Sequence, residues 1–478
     1  MIRNLYKYIL LIGLVTSLTS CEDFFNKKPY DQTETDDVLT NAKDAQVILN
    51  GMYSGFVSTG SYGTYLTTTL DIATDAAYAT DQFSNTWGEV YAWRLHPGSS
   101  EVSTVWATTY SIVYNANFLI QNLKNIEIEE EEENRILAEA YTGRALLYHD
   151  LVRIYAKAYN ASSAKTDLGI PYVTGFDDDE PSRNTIEEVY SMLIDDLEKA
   201  ISLFEDNSES ESTFFTKDFA NGLLARVYLD MQDYEKAADA ATLVIENRTY
   251  TLASGTDFTN IWLHDTGNEI IWKVKYTVNA PGPSLGYNFY LRQNQTQLPN
   301  PDYIPANNWF ESYNQDDDIR ARAYFDFTQT GFGWEGNLIY KYPTNPLFTA
   351  QGTNMPKPMR IAEMYLIRAE ANAHLDKKTE AIEDLEQLLS ARISGFDGIS
   401  ENVDLDVFIA QERKKELMFE GFYWFDLKRR GEGFKRVPQA NTFVGNDLEI
   451  TPDNFRWQWP IPRAELNGNS NIQQNPGY

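Results

Sequence analysis

Helical periodicity in this chain switches off twice and returns each time, and that alternation restricts the possible folds more than any single motif does. Apolar residues recur at spacings of three and four in 41–56 (Ala45, Ile48, Leu49, Met52, Tyr53, Phe56), 102–124, 134–158, 185–204, 221–247 and 361–391, as one face of a helix requires. Residues 57–100 and 250–358 carry no such period. The second stretch has prolines from Pro281 to Pro358, short strand-like pieces such as 269–274, and Trp262, Trp272, Trp309 and Trp334. Long irregular segments inside compact proteins are usually functional or disordered, and this density of tryptophan argues against disorder. The expected fold is mainly α, a helical scaffold with two long, irregular, aromatic-rich insertions at about 57–100 and 250–358.

The helices have a repeat of their own. Ala225 and Ala237 stand twelve residues apart, and so do Ala369 and Ala381, each pair across a short turn. A tetratricopeptide unit seats small residues at this spacing, where its two helices touch. With 134–158/185–204 and 41–56/102–124 as diverged members, about four tetratricopeptide-like hairpins are expected. Thr185 and Glu188 form a capping-box pattern. The acid run Glu129–Glu133 suits the start of a helix, where negative charge meets the positive end of the dipole.

The amino end speaks about location. Arg3 and Lys7 precede an apolar run from Ile9 to Leu18, which has the layout of a secretory signal. It is too short to span a membrane, which takes roughly twenty apolar residues. Leu18-Thr19-Ser20-Cys21 resembles a bacterial lipobox, and Cys21 is the chain's only cysteine. The expected arrangement is a signal peptide over 1–20, acyl chains (palmitate) on Cys21, a polar tether over 21–40 and one domain over 41–478. Its scaffold portions are 41–56, 102–250 and 359–435. Each buried CH2 of an acyl chain contributes about 0.8 kcal/mol to membrane binding.

With Cys21 used, no disulfide, thiolate metal site or cysteine nucleophile remains. A net charge of −30 leaves no basic face for nucleic acid or anionic lipid, so membrane contact is expected through the lipid anchor only. His96, His149, His264 and His374 fall in no ligand spacing, and no phosphate loop or nucleophile elbow occurs. No enzyme is expected, and no cofactor. Asp316-Asp317-Asp318 is the one run with a calcium-loop flavour. It continues Ile319-Arg320 instead of supplying glycine and a distal glutamate, so it is a candidate for a loosely held calcium at most.

Binding is the chemistry the insertions can supply. Aromatic residues are 14% of the chain, with thirty tyrosines and ten tryptophans. A sugar ring offers an apolar face to an aromatic plane and hydroxyls to Asp, Asn, Gln and Arg. The candidate ligand residues are Asp75, Trp87, Trp93, Arg94, Tyr287, Asn288, Trp309 and Trp334. The same surface suits a protein partner equally well.

Three blocks then carry a family resemblance: 358–373 (PMRIAEMYLIRAEANA), 411–431 (QERKKELMFEGFYWFDLKRRG) and 459–478 (WPIPRAELNGNSNIQQNPGY). Together with the amino end they resemble the SusD/RagB family of Bacteroidetes outer-membrane lipoproteins. The resemblance implies a non-enzymatic surface lipoprotein that sits over a SusC-like TonB-dependent outer-membrane transporter and hands it a glycan. In some members the ligand is a peptide, and a mainly structural lid is the remaining alternative. Glu412, Glu416 and Glu420 repeat at i, i+4, i+8, with Arg360, Arg368, Arg413, Arg429 and Arg430 in the neighbouring blocks. These are expected to form a buried ion-pair network that locks the last helices, since like charges on one face repel unless arginines intervene.

Overall fold

The computed structural model of the chain describes residues 38–176, 180–205, 212–293, 295, 297–348, 353–400, 402–443 and 448–478. Cys21, the signal segment and the tether up to residue 37 lie outside the described residues, as do Asp177–Asp179 of the acidic loop.

Helix pairs make the scaffold: α1 (Ala42–Gly55) with α2 (Ser100–Asn122), α3 (Glu130–Tyr155) with α4 (Ile186–Leu203), and α5 (Lys217–Met231) with α6 (Tyr234–Glu246). The first insertion, between α1 and α2, holds the strand β1 (Ala77–Ala79). The second, after α6, runs through α7 (Gly255–His264), β2 (Ile270–Trp272), β3 (Tyr303–Pro305), α8 (Asn307–Glu311), α9 (Ile319–Tyr324), β4 (Phe325–Gln329), β5 (Glu335–Ile339) and β6 (Met359–Arg360). The chain rejoins the stack as α10 (Ile361–His374) with α11 (Lys378–Arg392). α10 packs directly on α6, so the insertion is looped out of a continuous array. α12 (Leu405–Glu416), α13 (Tyr423–Arg430) and the strands β7 (Phe434–Lys435) and β8 (Glu449–Ile450) follow.

The hairpin signals have direct physical counterparts. Ala225, Ala237, Ala369 and Ala381 are all fully buried, small enough to let paired helices approach. The Thr185 hydroxyl takes the Glu188 N–H at 3.2 Å, and the Glu188 carboxylate takes the Thr185 N–H at 2.8 Å. Glu130–Glu133 form the first turn of α3.

The molecule has two principal cores. The larger lies among the scaffold helices and includes Leu49, Leu119, Leu147 and Leu193. The second belongs to the insertions, with Tyr78, Phe258, Trp262, Tyr303, Trp309, Tyr324 and Phe419. A buried charge network fastens this second layer to the final helices. Arg360 reaches Glu416 at 2.8 Å and Glu420 at 2.6 Å, and also Glu269 of the insertion. Arg392 joins Glu416 and Glu269, at 2.8 and 2.9 Å. Arg320 reaches Glu412 at 3.0 Å, and Lys341 reaches Glu420 at 2.7 Å. The network is there as expected and includes Arg360, but its other cations differ: Arg320, Lys341, Arg392 and Lys415 join Arg360 on the three glutamates. Arg413 turns to Asp426 at 3.0 Å, and Arg429 to Glu370 at 2.6 Å.

Glu420 is also not on the helix of Glu412 and Glu416. α12 stops at Glu416, and the chain turns through Phe419 (φ +54°) and Gly421 (φ +84°). A Cβ at Gly421 would stand 1.8 Å from the Leu66 carbonyl oxygen, so only glycine fits there. Asp71, fully buried, accepts the Gly421 and Tyr423 N–H groups at 3.2 and 3.1 Å. Burial pushes its carboxyl up to about 7, against the pull of those backbone donors.

Candidate functional site

Chain segments from three parts of the sequence come together to build an aromatic face on the insertion layer. β1 pairs antiparallel with β3, Tyr78 opposite Ile304 and Ala79 opposite Tyr303. The other edge of the first segment bridges Thr80 to Thr442, and the Phe443 N–H donates to the Ala79 carbonyl at 3.0 Å. Side chains that follow these pairings meet one another. Phe83 lies 5.5 Å from Phe443 and 6.3 Å from Tyr303, ring centre to ring centre. Trp87 lies nearly parallel to Tyr303, at 6.4 Å and 16°. Tyr303 is fully buried, Phe83 and Trp87 are half-buried, and Phe443 is 45% exposed. Asp81, Gln82 and Asn85, which neighbour these aromatics in the chain, are exposed.

Local chemistry holds this face rigid. Asp302, fully buried, takes the Ser84 N–H at 2.6 Å and its hydroxyl at 2.7 Å, and pairs with Arg292 at 2.9 Å. Arg292 Nε donates to the Asn300 carbonyl, and the Tyr303 hydroxyl donates to the Thr86 carbonyl at 2.5 Å. Asn85 and Trp87 have φ of +66° and +57°, a region non-glycine residues rarely enter. Backbone strain of this kind persists only where the surroundings over-determine it, and it clusters at ligand sites.

The candidate residues named from sequence divide between this face and the interior. Trp87 is on the face. Asn288 is buried, and its carbonyl takes the Asp302 N–H at 2.8 Å, so it supports the face from behind. Tyr287 is 46% exposed on the turn 287–291, and Arg94 is exposed. Trp334 is half-buried at the start of the β4–β5 hairpin's return strand, with its indole N–H enclosed and unpartnered.

Two of the candidate tryptophans are not on this face. Trp93 is a core residue: its N–H donates to the Ala73 carbonyl at 2.6 Å, and Trp457, Phe434 and Trp424 surround it. Trp309, 2% exposed, is enclosed by Tyr423, Phe419 and the Lys414 ammonium. Asp75 is committed as well, accepting the Tyr423 hydroxyl at 2.9 Å and facing Lys414 at 3.7 Å. Burial, with Asp75 adding to it, pushes the Tyr423 phenol well up, so it stays a neutral donor.

The calcium candidate is not assembled either. Asp318 is buried and pairs with Arg320 at 2.8 Å, while Asp317 accepts the Asn314 amide at 2.9 Å and Asp316 is exposed. Among the described residues, no three His, Cys, Asp or Glu side chains come together in a metal-holding group. Sequence reasoning missed Phe83, Phe443, Tyr303 and Asp302 as parts of one site. Phe83 stood among the aromatics of 57–100, but nothing local to Phe443 signals its pairing with Ala79, 364 residues earlier.

Comparison with known proteins agrees with this architecture over almost the whole chain. The model of the SusD family matches residues 283–478, and a second, described as starch-binding associating with outer membrane, matches residues 23–229. The chain belongs to the SusD/RagB family. Its SusD-family relatives include SusD-like protein P2 of Formosa agariphila, 28% identical over 99% of both chains. SusD-like protein P38 of the same organism is 24% identical over 98% of both. Among solved structures, a SusD superfamily protein of Bacteroides thetaiotaomicron superposes with a TM-score of 0.80 at 26% identity, covering 92% of this chain and 100% of that one. A SusD-like carbohydrate binding protein of Bacteroides vulgatus does so at 0.78 and 21%, covering 91% and 98%. The mainly α SusD-like fold expected from the sequence is the fold observed.

Proposed function

We propose that this SusD-family chain is a lipid-anchored binding protein of the outer membrane. In this reading it captures an oligosaccharide on the Phe83–Trp87–Phe443 face and delivers it to a SusC-like TonB-dependent transporter. The observation that carries the reading is the face itself: Phe83 and Trp87 seated on buried Tyr303, Phe443 of a distant segment against Phe83, and exposed Asp81, Gln82 and Asn85 close by in the chain. Aromatic planes take the apolar faces of sugar rings, and the polar groups take their hydroxyls.

The geometry also explains how such a face would bind without a large ordering cost. The β1–β3 ladder, the Asp302 clamp on Ser84 and the strained turn at Asn85–Trp87 set the rings before a ligand arrives. Support comes from the family description, starch-binding associating with outer membrane, and from the carbohydrate-binding relative of like fold. Attachment would be through acylated Cys21, consistent with the finding that no helix among the described residues is long and apolar enough to cross a membrane. The role is binding and hand-over, without turnover.

The test is a screen of the purified protein against plant, host and microbial glycans by affinity electrophoresis and calorimetry. One glycan class is expected to bind, and Trp87→Ala is expected to weaken it about tenfold, or about 1.4 kcal/mol. Binding of peptides in place of any glycan would overturn the reading in favour of a peptide carrier.

A further inference from the structure

Between α8 and the last turns of α12 lies a cavity of about 340 Å3, lined by Asn308, Trp309, Ser312, Gln411, Lys414 and Lys415. No carboxylate is in that lining, in a chain with a net charge of −30. Its size is within the range of small-molecule sites, roughly 300–1,000 Å3.

The polar groups are positioned rather than loose. The Lys414 ammonium lies 4.2 Å from the Trp309 ring centre and 4.7 Å from that of Tyr423. Its ion-pair partner Asp75 is 3.7 Å away, and the other Asp75 oxygen takes the Tyr423 hydroxyl. An ammonium has three donors, and one loose ion pair does not use them. Lys415 pairs with Glu412 at 2.8 Å, but that carboxylate is shared with Arg320 at 3.0 Å. Buried Trp309 Nε1 has no acceptor, and the Asn308 and Gln411 side chains are exposed. Burial pulls the Lys414 ammonium below its ordinary value while Asp75 opposes that, and an arriving anion would act in the same sense as Asp75. Two ammonium groups and two amides around one space suit an oxyanion, the Ser312 hydroxyl being spent on the Trp309 carbonyl at 2.6 Å.

We propose that this cavity is a subsite for the anionic group of an acidic sugar, a carboxylate or a sulfate ester. Gln439 links the two places: its side chain takes the Asn307 N–H at 3.0 Å, beside the cavity, and its carbonyl takes the hydroxyl of Thr442, next to Phe443, at 2.6 Å. The inference rests on the glycan reading above and adds the charge class of the ligand.

The experiment is calorimetry on the whole chain in mild detergent, with three oligosaccharide series of equal length: uronate-bearing, sulfated and neutral. A charged series is expected to bind about tenfold more tightly than the neutral one at low salt, with the gap closing at high salt as screening grows. The tighter of the two charged series identifies the anion. Gln411→Glu, at an exposed position where folding is not at stake, and Lys414→Gln are each expected to bring the charged series down to the neutral affinity. Equal binding of charged and neutral series by the parent protein, or a gap that survives both variants, would overturn the subsite while leaving the glycan reading in place. Absence of binding by all three series would overturn both.

Discussion

The hairpin scaffold and the insertion layer are stabilised by contacts of opposite range. In the scaffold, α10 packs on α11 with Ala369 and Ala381 both buried, and Arg368 pairs with Asp384 at 2.6 Å, sixteen residues along the chain. In the insertion layer, Asp71 takes the Gly421 N–H across 350 residues, and Ser84 is held by Asp302 across 218. One region is assembled from neighbours. The other is closed by buried ions and edge pairings that only the finished fold brings together. Binding function fits the second region: a repetitive stack supplies rigidity, and the looped-out layer supplies side chains in non-repeating positions.

The largest expected effects come from cutting the joint between the two regions. Glu416→Gln leaves Arg360 and Arg392 buried with reduced compensation and is expected to cost about 3–5 kcal/mol, read by urea denaturation. If the layers are held as described, loss of tryptophan fluorescence structure in the insertions should precede loss of helical circular dichroism. Coincident transitions would show the layers to be one cooperative unit.

Acid titration probes the last hairpin. The Arg429, Arg413 and Arg430 guanidiniums hold the buried Glu370 carboxyl down at about 2, against the upward push of burial. A depressed folded value means its stabilisation is present above the ordinary glutamate range, 4.5 for this side chain, and is lost as pH falls from there toward 2. The expected loss is of order 3 kcal/mol. Melting curves across that window should be steep for the parent protein and flatter for Glu370→Gln.

A smaller effect tests the hairpin crossings. Ala369→Leu places extra volume between helices already in contact and is expected to cost about 1–3 kcal/mol, read as a lower melting temperature. Ser202→Leu, at an exposed position of α4, should alter little.

The contrast also explains what the sequence could disclose. The alanine spacing, the Thr185–Glu188 cap and the runs of helical periodicity are local patterns, so the mainly α scaffold was legible. The glutamate spacing in the last third correctly pointed to a buried network. Its partners did not follow, because Arg320 and Lys341 arrive from the insertion. Tryptophan count indicated an aromatic layer but could not sort its members. Trp87 and Trp93 are six residues apart, both at positive φ, yet one is half-buried over Tyr303 and the other is enclosed by Trp424, Phe434 and Trp457. That choice depends on strands from residues 303 and 434 onward, which no local period encodes.

The most direct test of the account therefore sets those two tryptophans side by side, measuring glycan affinity and melting temperature for Trp87→Ala and Trp93→Ala. Trp87→Ala is expected to lose about tenfold in affinity with its melting temperature nearly unchanged. Trp93→Ala should lose about 3–5 kcal/mol of stability. A Trp87→Ala protein that keeps full affinity for the glycan bound by the parent would contradict the assignment of the binding face.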